Sequence, residues 1–291
     1  MCDTCGCNVT SGNAHLVEAD GKLATTGDGR AAVEVLQGLL SENDHQAAHN
    51  REHFDRHGVL AINLMSSPGS GKTALLEATL DALAGRLRVA VIEGDLETEN
   101  DARRIRAKGV PAIQIATGSA CHLDAHMVHL ALHELDLDAV DVVFIENVGN
   151  LVCPASFDLG HHRNVTLLSV TEGDDKPAKY PVMFRAADLM LLTKTDLLEV
   201  LDDFDPHRAE HCLRALASNA PVLEVSARKG RGLDAWLGWL RHEVATHRQR
   251  VAARQTLRPA VQPDGVHLHA RGEPAGHDHP HVHGHPAHGH G

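Results

Sequence analysis

The sequence predicts a three-layer α/β domain on a mostly parallel sheet, and three observations carry that expectation. Seven short β-rich runs alternate with helical segments between residues 59 and 247. Most of those runs are continuously apolar, the mark of strands buried on both faces of a parallel sheet. The first run passes through a Ser/Gly-rich loop straight into a helical stretch, the strand–loop–helix unit from which doubly wound domains are built.

The elements follow in order. Residues 1–27 are polar, contain glycine and open with three cysteines, and they read as a flexible arm. From 28 to 57 the spacing of Ala31, Val35, Leu36, Leu39 and Leu40 predicts an amphipathic helix. Strands are expected at 59–65, 88–93, 111–116, 141–146, 164–171, 187–193 and 222–226. Helices are expected at 74–83, 100–108, 122–135, 206–218 and 232–248. Past 249 the periodicity stops, and Pro, Gly and nine histidines take over. The division is therefore a 1–27 arm, a 28–248 domain with a leading helix, and a His-rich tail over 249–291, disordered unless a ligand orders it.

Composition bounds the partners. A chain of 291 residues fits one large domain plus appendages. A net charge of −12 argues against a nucleic-acid partner. No apolar run approaches the ~20 residues that span a bilayer, which argues against a membrane role. The first residues lack the basic and apolar regions of a secretory signal, so a cytoplasmic location is expected. In a reducing cytosol the six cysteines read as ligands rather than disulfides. Only 3% of residues are aromatic while 24 are histidine, an imbalance that needs a reason.

The loop Ser66-Ser67-Pro68-Gly69-Ser70-Gly71-Lys72-Thr73 has the layout of a phosphate cradle, although Ser66 occupies the slot of the usual first glycine. Its backbone N–H groups and the helix dipole favour an anion. Lys72 is expected at the β/γ-phosphates and the Thr73 hydroxyl on Mg²⁺. Glu146 ends the strand at 141–146 and is placed to hold Mg²⁺ or its water, and Gly149 lets backbone approach the γ-phosphate. Asp95, at the end of the second strand, can meet the metal or the attacking water. Thr193-Lys194-Thr195-Asp196 closes the sixth strand. The Asp196 carboxylate can accept two N–H bonds from guanine that adenine lacks, so GTP is expected over ATP. Lys194 would lie along the base. Thr193 stands where an Asn is commoner, and Ser226-Ala227 suits a backbone N–H to the guanine oxygen.

Cys2, Cys5 and Cys7 can wrap one ion in tetrahedral or square-planar geometry, given a fourth donor. Cys121-His122, read as a helix start, and Cys153, seven residues past Glu146, form a second candidate set. His126 and His129 read as solvent-exposed helix residues, and Cys212 as an ordinary core cysteine. In the tail, alternation lines up His277, His279, His281, His283 and His285 as an imidazole strip suited to Ni, Zn or Cu.

With Glu93-Gly-Asp95, Gly118-Ser-Ala-Cys121-His122-Leu-Asp124, Glu146-Asn-Val-Gly-Asn-Leu-Val-Cys153-Pro and Thr171-Glu-Gly-Asp-Asp-Lys176-Pro-Ala-Lys-Tyr-Pro181 following the phosphate loop in order, the chain resembles the HypB family. These are the GTPases that insert nickel during maturation of [NiFe]-hydrogenase. The resemblance implies a SIMIBI-type P-loop GTPase fold. It matches Cys2, Cys5 and Cys7 to the family's N-terminal metal motif. It matches Cys121, His122 and Cys153 to the G-domain site, where Ni²⁺ or Zn²⁺ binds between protomers of a nucleotide-linked homodimer. It also implies a HypA-type metallochaperone partner and the hydrogenase large-subunit precursor as recipient. Thr193 and the C-terminal position of the histidines depart from the pattern. GTP and Mg²⁺ are expected to order the loops at 95–101 and 146–153 and so align the metal ligands. No arginine finger or activating Gln is evident, so turnover is expected to be slow. The alternatives are a urease-type nickel GTPase and a nickel-storage protein with weak GTPase activity; a kinase lacks a nameable acceptor pocket.

Overall fold

The computed structural model describes residues 32–260, apart from 84, 96–99 and 119. The order is α1 (Ala32–His57), β1 (Leu60–Ser66), α2 (Lys72–Leu83), β2 (Val89–Asp95), α3 (Asn100–Arg106), β3 (Ala112–Ala116), α4 (Ala125–Leu132) and β4 (Val142–Glu146). Then come β5 (Arg163–Ser169), α5 (Lys176–Lys179), α6 (Pro181–Arg185), β6 (Leu189–Thr193), α7 (Pro206–Ala215), β7 (Val222–Val225) and α8 (Leu233–Ala252). All six pairings are parallel, in the order β3-β2-β4-β1-β5-β6-β7. Every expected strand is present.

Alternation along each strand makes the three layers. Leu60, Ile62 and Leu64 of β1 pack with Leu75, Leu76 and Trp236 on one face, while Ala61 joins Phe54 and Val128 on the other. On β6, Leu189 and Leu191 meet the first cluster while Met190 and Leu192 meet Met183 and Phe184. Continuous apolar runs therefore feed both helical layers, as two-sided burial requires. Trp236 is fully buried, and its indole N–H donates to Thr79 Oγ1 at 2.9 Å, which locks α8 onto α2.

The chain winds outward from β1 in one direction to β2 and β3, returns to place β4 beside β1, and restarts on the other side with β5. That reversal opens a crevice at the carboxyl ends of β1 and β4, where open α/β sheets bind ligands. α1 clamps the far side. Arg51 Nη2 lies 2.7 Å from both Asp158 oxygens, and Asn50 Nδ2 donates to Ala125 O at 2.7 Å and Leu159 O at 3.1 Å. Gly160, at φ +87°, fits there because a Cβ would meet Ala47 O at 2.5 Å.

Two expectations move. The helix expected at 122–135 begins only at Ala125, because the Asp124 carboxylate accepts the Met127 N–H and caps it. Cys121 and His122 therefore lie in the preceding loop. The 171–181 stretch, left unassigned by periodicity, forms the short helices α5 and α6.

His161, His162 and His247 are buried. Burial is the first cause in each, and it pushes His161 and His162 down to about 4 and His247 to about 3. An unfolded chain would protonate all three near pH 6.5. The unfolded state thus binds more protons between pH 6.5 and 4, and stability falls as pH falls through that window. Asp188, raised to about 6 chiefly by burial, and the buried Glu93 and Glu146, also raised, act in the opposite sense, while the lowered His53, His122 and His129 add to the histidine side. Each net proton is worth about 1.4 kcal/mol per pH unit. The urea midpoint should be clearly lower at pH 5 than at pH 7, and an equal midpoint would refute this account.

Candidate nucleotide and metal site

The Ser66–Thr73 loop bridges β1 and α2 as expected, with Gly69 at φ +73° and Gly71 at φ +99°, which only glycine adopts without strain. Lys72 Nζ donates to Ser66 Oγ at 2.9 Å, so the serine in the first-glycine slot serves as the lysine's resting partner. Thr73 Oγ1 donates to Glu146 Oε1 at 2.9 Å, across from β1 to the end of β4. Ser67 Oγ donates to Glu172, which also accepts the Ser169 N–H at 3.3 Å.

Parallel register sets Glu93 of β2 beside Glu146 of β4. Both are buried, and each keeps one carboxylate oxygen without a partner. Burial first, and then the Glu146 charge, raises Glu93; burial also raises Glu146, against the pull of Lys72. Such a pair holds one proton between two carboxylates. Asp101 completes a set whose donor oxygens lie within 4.8 Å of one another. Orphaned buried carboxylate oxygens beside a threonine hydroxyl suit a hard divalent cation such as Mg²⁺. Asp95, the carboxylate singled out in the sequence, ends β2, where its carbonyl accepts the Thr117 N–H at 3.0 Å, and it stands outside this set. Glu93 was legible as an acid inside an apolar strand, a placement with a physical cost that calls for a reason.

At the other end of the loop, Thr193 Oγ1 donates to Ser70 O at 2.7 Å and Lys194 Nζ to Gly69 O at 2.7 Å. The threonine in the usual Asn position thus ties the sixth strand to the phosphate loop. Lys194 takes the left-handed conformation, φ 58°. Ser226 Oγ donates to Asp196 Oδ1 at 2.6 Å, and that bond is the first cause of the lowered Asp196 pKa. Ser226 and Ala227 begin the turn closed by the Ser226 N–H to Arg231 O bond at 2.9 Å, so the specificity candidates gather at one sheet edge.

Cys121, His122 and Cys153 converge within one protomer, their donor atoms within 4.8 Å of one another. Cys121 Sγ lies 3.1 Å from Cys153 Sγ and 3.5 Å from His122 Nδ1, and the thiols are free. Burial first, then the neighbouring Cys121 thiol, pushes Cys153 up to about 12. Burial lowers His122, whose ring stacks on Phe157 at 3.9 Å. All three donors come from a single chain. Phe157 had no sequence signal, since its contact is made by tertiary folding alone.

One segment joins the two sites. After Glu146, Asn147 Oδ1 accepts the Leu123 N–H at 3.2 Å, and its Nδ2 donates to Asn63 Oδ1 at 3.2 Å. Gly149 sits against the phosphate loop so closely that a Cβ would lie 2.8 Å from Pro68 Cα. Asn150 Nδ2 donates to Cys121 O at 3.3 Å, and Cys153 follows. The positions Cys2, Cys5, Cys7, His277, His279, His281, His283 and His285 lie outside the described residues.

Residues 60–224 match the family model for the CobW/HypB/UreG nucleotide-binding domain. The chain is 54% identical over 222 residues to the hydrogenase maturation factor HypB of Azotobacter vinelandii, covering 76% of this chain and 73% of that one. It is 47% identical over 204 residues to the hydrogenase/urease maturation factor HypB of Helicobacter hepaticus, covering 69% and 83%. The crystal structure of HypB from Helicobacter pylori in complex with nickel superposes with a TM-score of 0.68 at 42% identity, covering 70% of this chain and 96% of that one. Fold, phosphate loop and these likenesses agree: the chain belongs to the HypB family of hydrogenase maturation factors.

Proposed function

We propose that this chain is a nickel-handling GTPase of the cytoplasm whose nucleotide state governs metal held by Cys121, His122 and Cys153, with nickel as cargo for the [NiFe]-hydrogenase large-subunit precursor. The observation that carries the reading is the close approach of Gly149 to Pro68 on the very segment that ends in Cys153. A γ-phosphate in the cradle pushes or holds that glycine, and the displacement reaches the thiol four residues on. Thr73, Glu146 and Glu93 are the residues that would hold Mg²⁺, which supplies charge neutralisation for the triphosphate. Lys72 leaves Ser66 for phosphate oxygen. Asp196 and Lys194 select guanine, with Ser226 orienting the carboxylate. Asp95 is assigned to positioning water. A HypA-type partner and a metal- or nucleotide-linked homodimer fit the same cycle. Zn²⁺ suits the thiolate–imidazole donors as well as Ni²⁺ does. The arm cysteines and the tail imidazoles serve as further metal donors. The likeness to the Helicobacter hepaticus hydrogenase/urease maturation factor supports urease as a second recipient.

Reciprocity makes the proposal measurable, because GTP must change nickel affinity by the factor through which nickel changes GTP affinity. In the intact chain, a non-hydrolysable GTP analogue should shift the nickel Kd several-fold. The C121A/C153A variant should bind GTP normally and lose the shift; a retained shift would place the gate elsewhere.

Gly149→Ala should keep the fold and both ligands while shrinking that coupling, since the Cβ forces Pro68 and residue 149 apart. Coupling equal to the unaltered chain would remove the Gly149 contact from the mechanism. Lys72→Ala should weaken GTP binding by roughly 10–100-fold, the loss of a charge-assisted contact; unchanged binding in a fluorescent-nucleotide titration would favour storage over a GTPase.

A further inference from the structure

α1 and α4 pack against each other, and histidines line their seam. His49 and His53 are one helical turn apart on α1. His129, on α4, and His133, its C-cap residue, repeat the spacing opposite them. Ring centroids are 4.8 Å apart for His49–His53, 5.1 Å for His49–His129 and 4.6 Å for His129–His133. His49 and His133 are exposed, while His53 and His129 are half-buried. Nothing in the nucleotide or thiol site uses them.

One of the four is held as a metal-ligating imidazole is held. Asn50 is fully buried, and its Nδ2 is committed to Ala125 O and Leu159 O, so its Oδ1 is the acceptor that faces the patch. His129 Nδ1 lies 3.2 Å from that oxygen and must carry the proton. Its Nε2 is then a bare lone pair, with the other ring nitrogen anchored by an outer partner, the usual arrangement behind a metal ligand. His133 Nε2 lies 3.2 Å from His129 Nε2. Two nitrogens at that separation, each ~2.0–2.1 Å from one ion, subtend roughly 100°, near the tetrahedral angle. Without an ion, a proton on His133 bridges the pair; an ion displaces it to solvent.

We propose that His129 and His133, joined by His49 and His53 when those side chains turn inward, form a second metal site, taking a divalent ion of the imidazole-preferring kind such as Ni²⁺ or Zn²⁺. Partial burial first, and then the neighbouring imidazoles, lowers His53 and His129, which keeps the rings neutral and ready to ligate. The spacing that reads in the sequence as solvent-exposed helix histidines becomes a site only when α1 is laid beside α4. If nickel is the cargo, as the reading above holds, this patch stores it on the helix that follows Cys121 and His122.

The test is carbethoxylation of the full chain by diethyl pyrocarbonate, mapped histidine by histidine by mass spectrometry, with Ni²⁺ and separately with Zn²⁺. At free metal about ten times the Kd, mass action leaves about one site in eleven empty, so modification of all four should slow about tenfold. In a His129→Gln/His133→Gln chain, His49 and His53 should lose that protection. Unchanged rates at saturating metal overturn the proposal, as does protection of His49 and His53 that survives in the double variant. The near-ultraviolet absorbance of thiolate-bound nickel reports the cysteine site separately. In C121A/C153A the share of that band due to the core thiols should be lost, leaving only what the arm cysteines give, while the imidazoles stay protected; protection lost along with that share would mean that the patch is no site of its own.

Discussion

Both candidate sites of this chain meet in the way residues 146–153 are pinned. Glu146 is tied to Thr73, Asn147 to Leu123 and Asn63, Gly149 is pressed on Pro68, and Asn150 reaches Cys121 O. Five attachments in five residues leave little slack. Two of them reach the phosphate loop, two reach the metal loop and one reaches β1. A packed interior responds to displacement by shifting between discrete arrangements rather than by stretching. That is why a glycine matters at 149: any side chain would hold the two loops apart and soften the connection.

The polar groups that make these attachments sit where burial makes them costly to leave unpaired. The Asn164–Asn63–Asn147 chain crosses three adjacent strands, with Asn63 Nδ2 donating to Asn164 Oδ1 at 3.0 Å. It delivers an oriented carboxamide to the Leu123 N–H, and so positions the loop of Cys121 and His122 against the end of β4. The carboxylates tell the opposite story. Glu93 and Glu146 remain partly unsatisfied, sharing a proton that a cation can replace. Stability is invested in the scaffold and withheld at the site, the division expected where a buried group is kept for a ligand.

Most of the fold was legible because two-sided burial writes continuous apolar runs, and every such run became a strand. The phosphate loop was equally legible, since its glycines and Lys-Thr have fixed relations along the chain. What escaped was whatever depends on register or on a third element. Glu93 meets Glu146 only through strand pairing. Phe157 lies under His122 only because the loop after β4 folds back. The start of α4 was misplaced because apolar periodicity reaches back past Asp124, whereas the capping carboxylate decides where hydrogen bonding begins. Thr193 looked like a loss relative to asparagine, yet its hydroxyl spans to Ser70 O and braces the loop from the base side.

The intrachain closeness of Cys121, His122 and Cys153 changes what a second protomer would have to contribute. Two thiols 3.1 Å apart with an imidazole alongside already supply three donors, so a dimer would need to add only a fourth ligand, or a mirrored set that shares the ion. The buried Cys153 thiol holds its proton firmly, so metal entry must displace it, and a small movement of the 146–153 segment changes how well the thiolate is stabilised. If nucleotide controls the metal as proposed, the contact of Gly149 with Pro68 is the route by which a displacement at the phosphate loop would reach the geometry around sulfur.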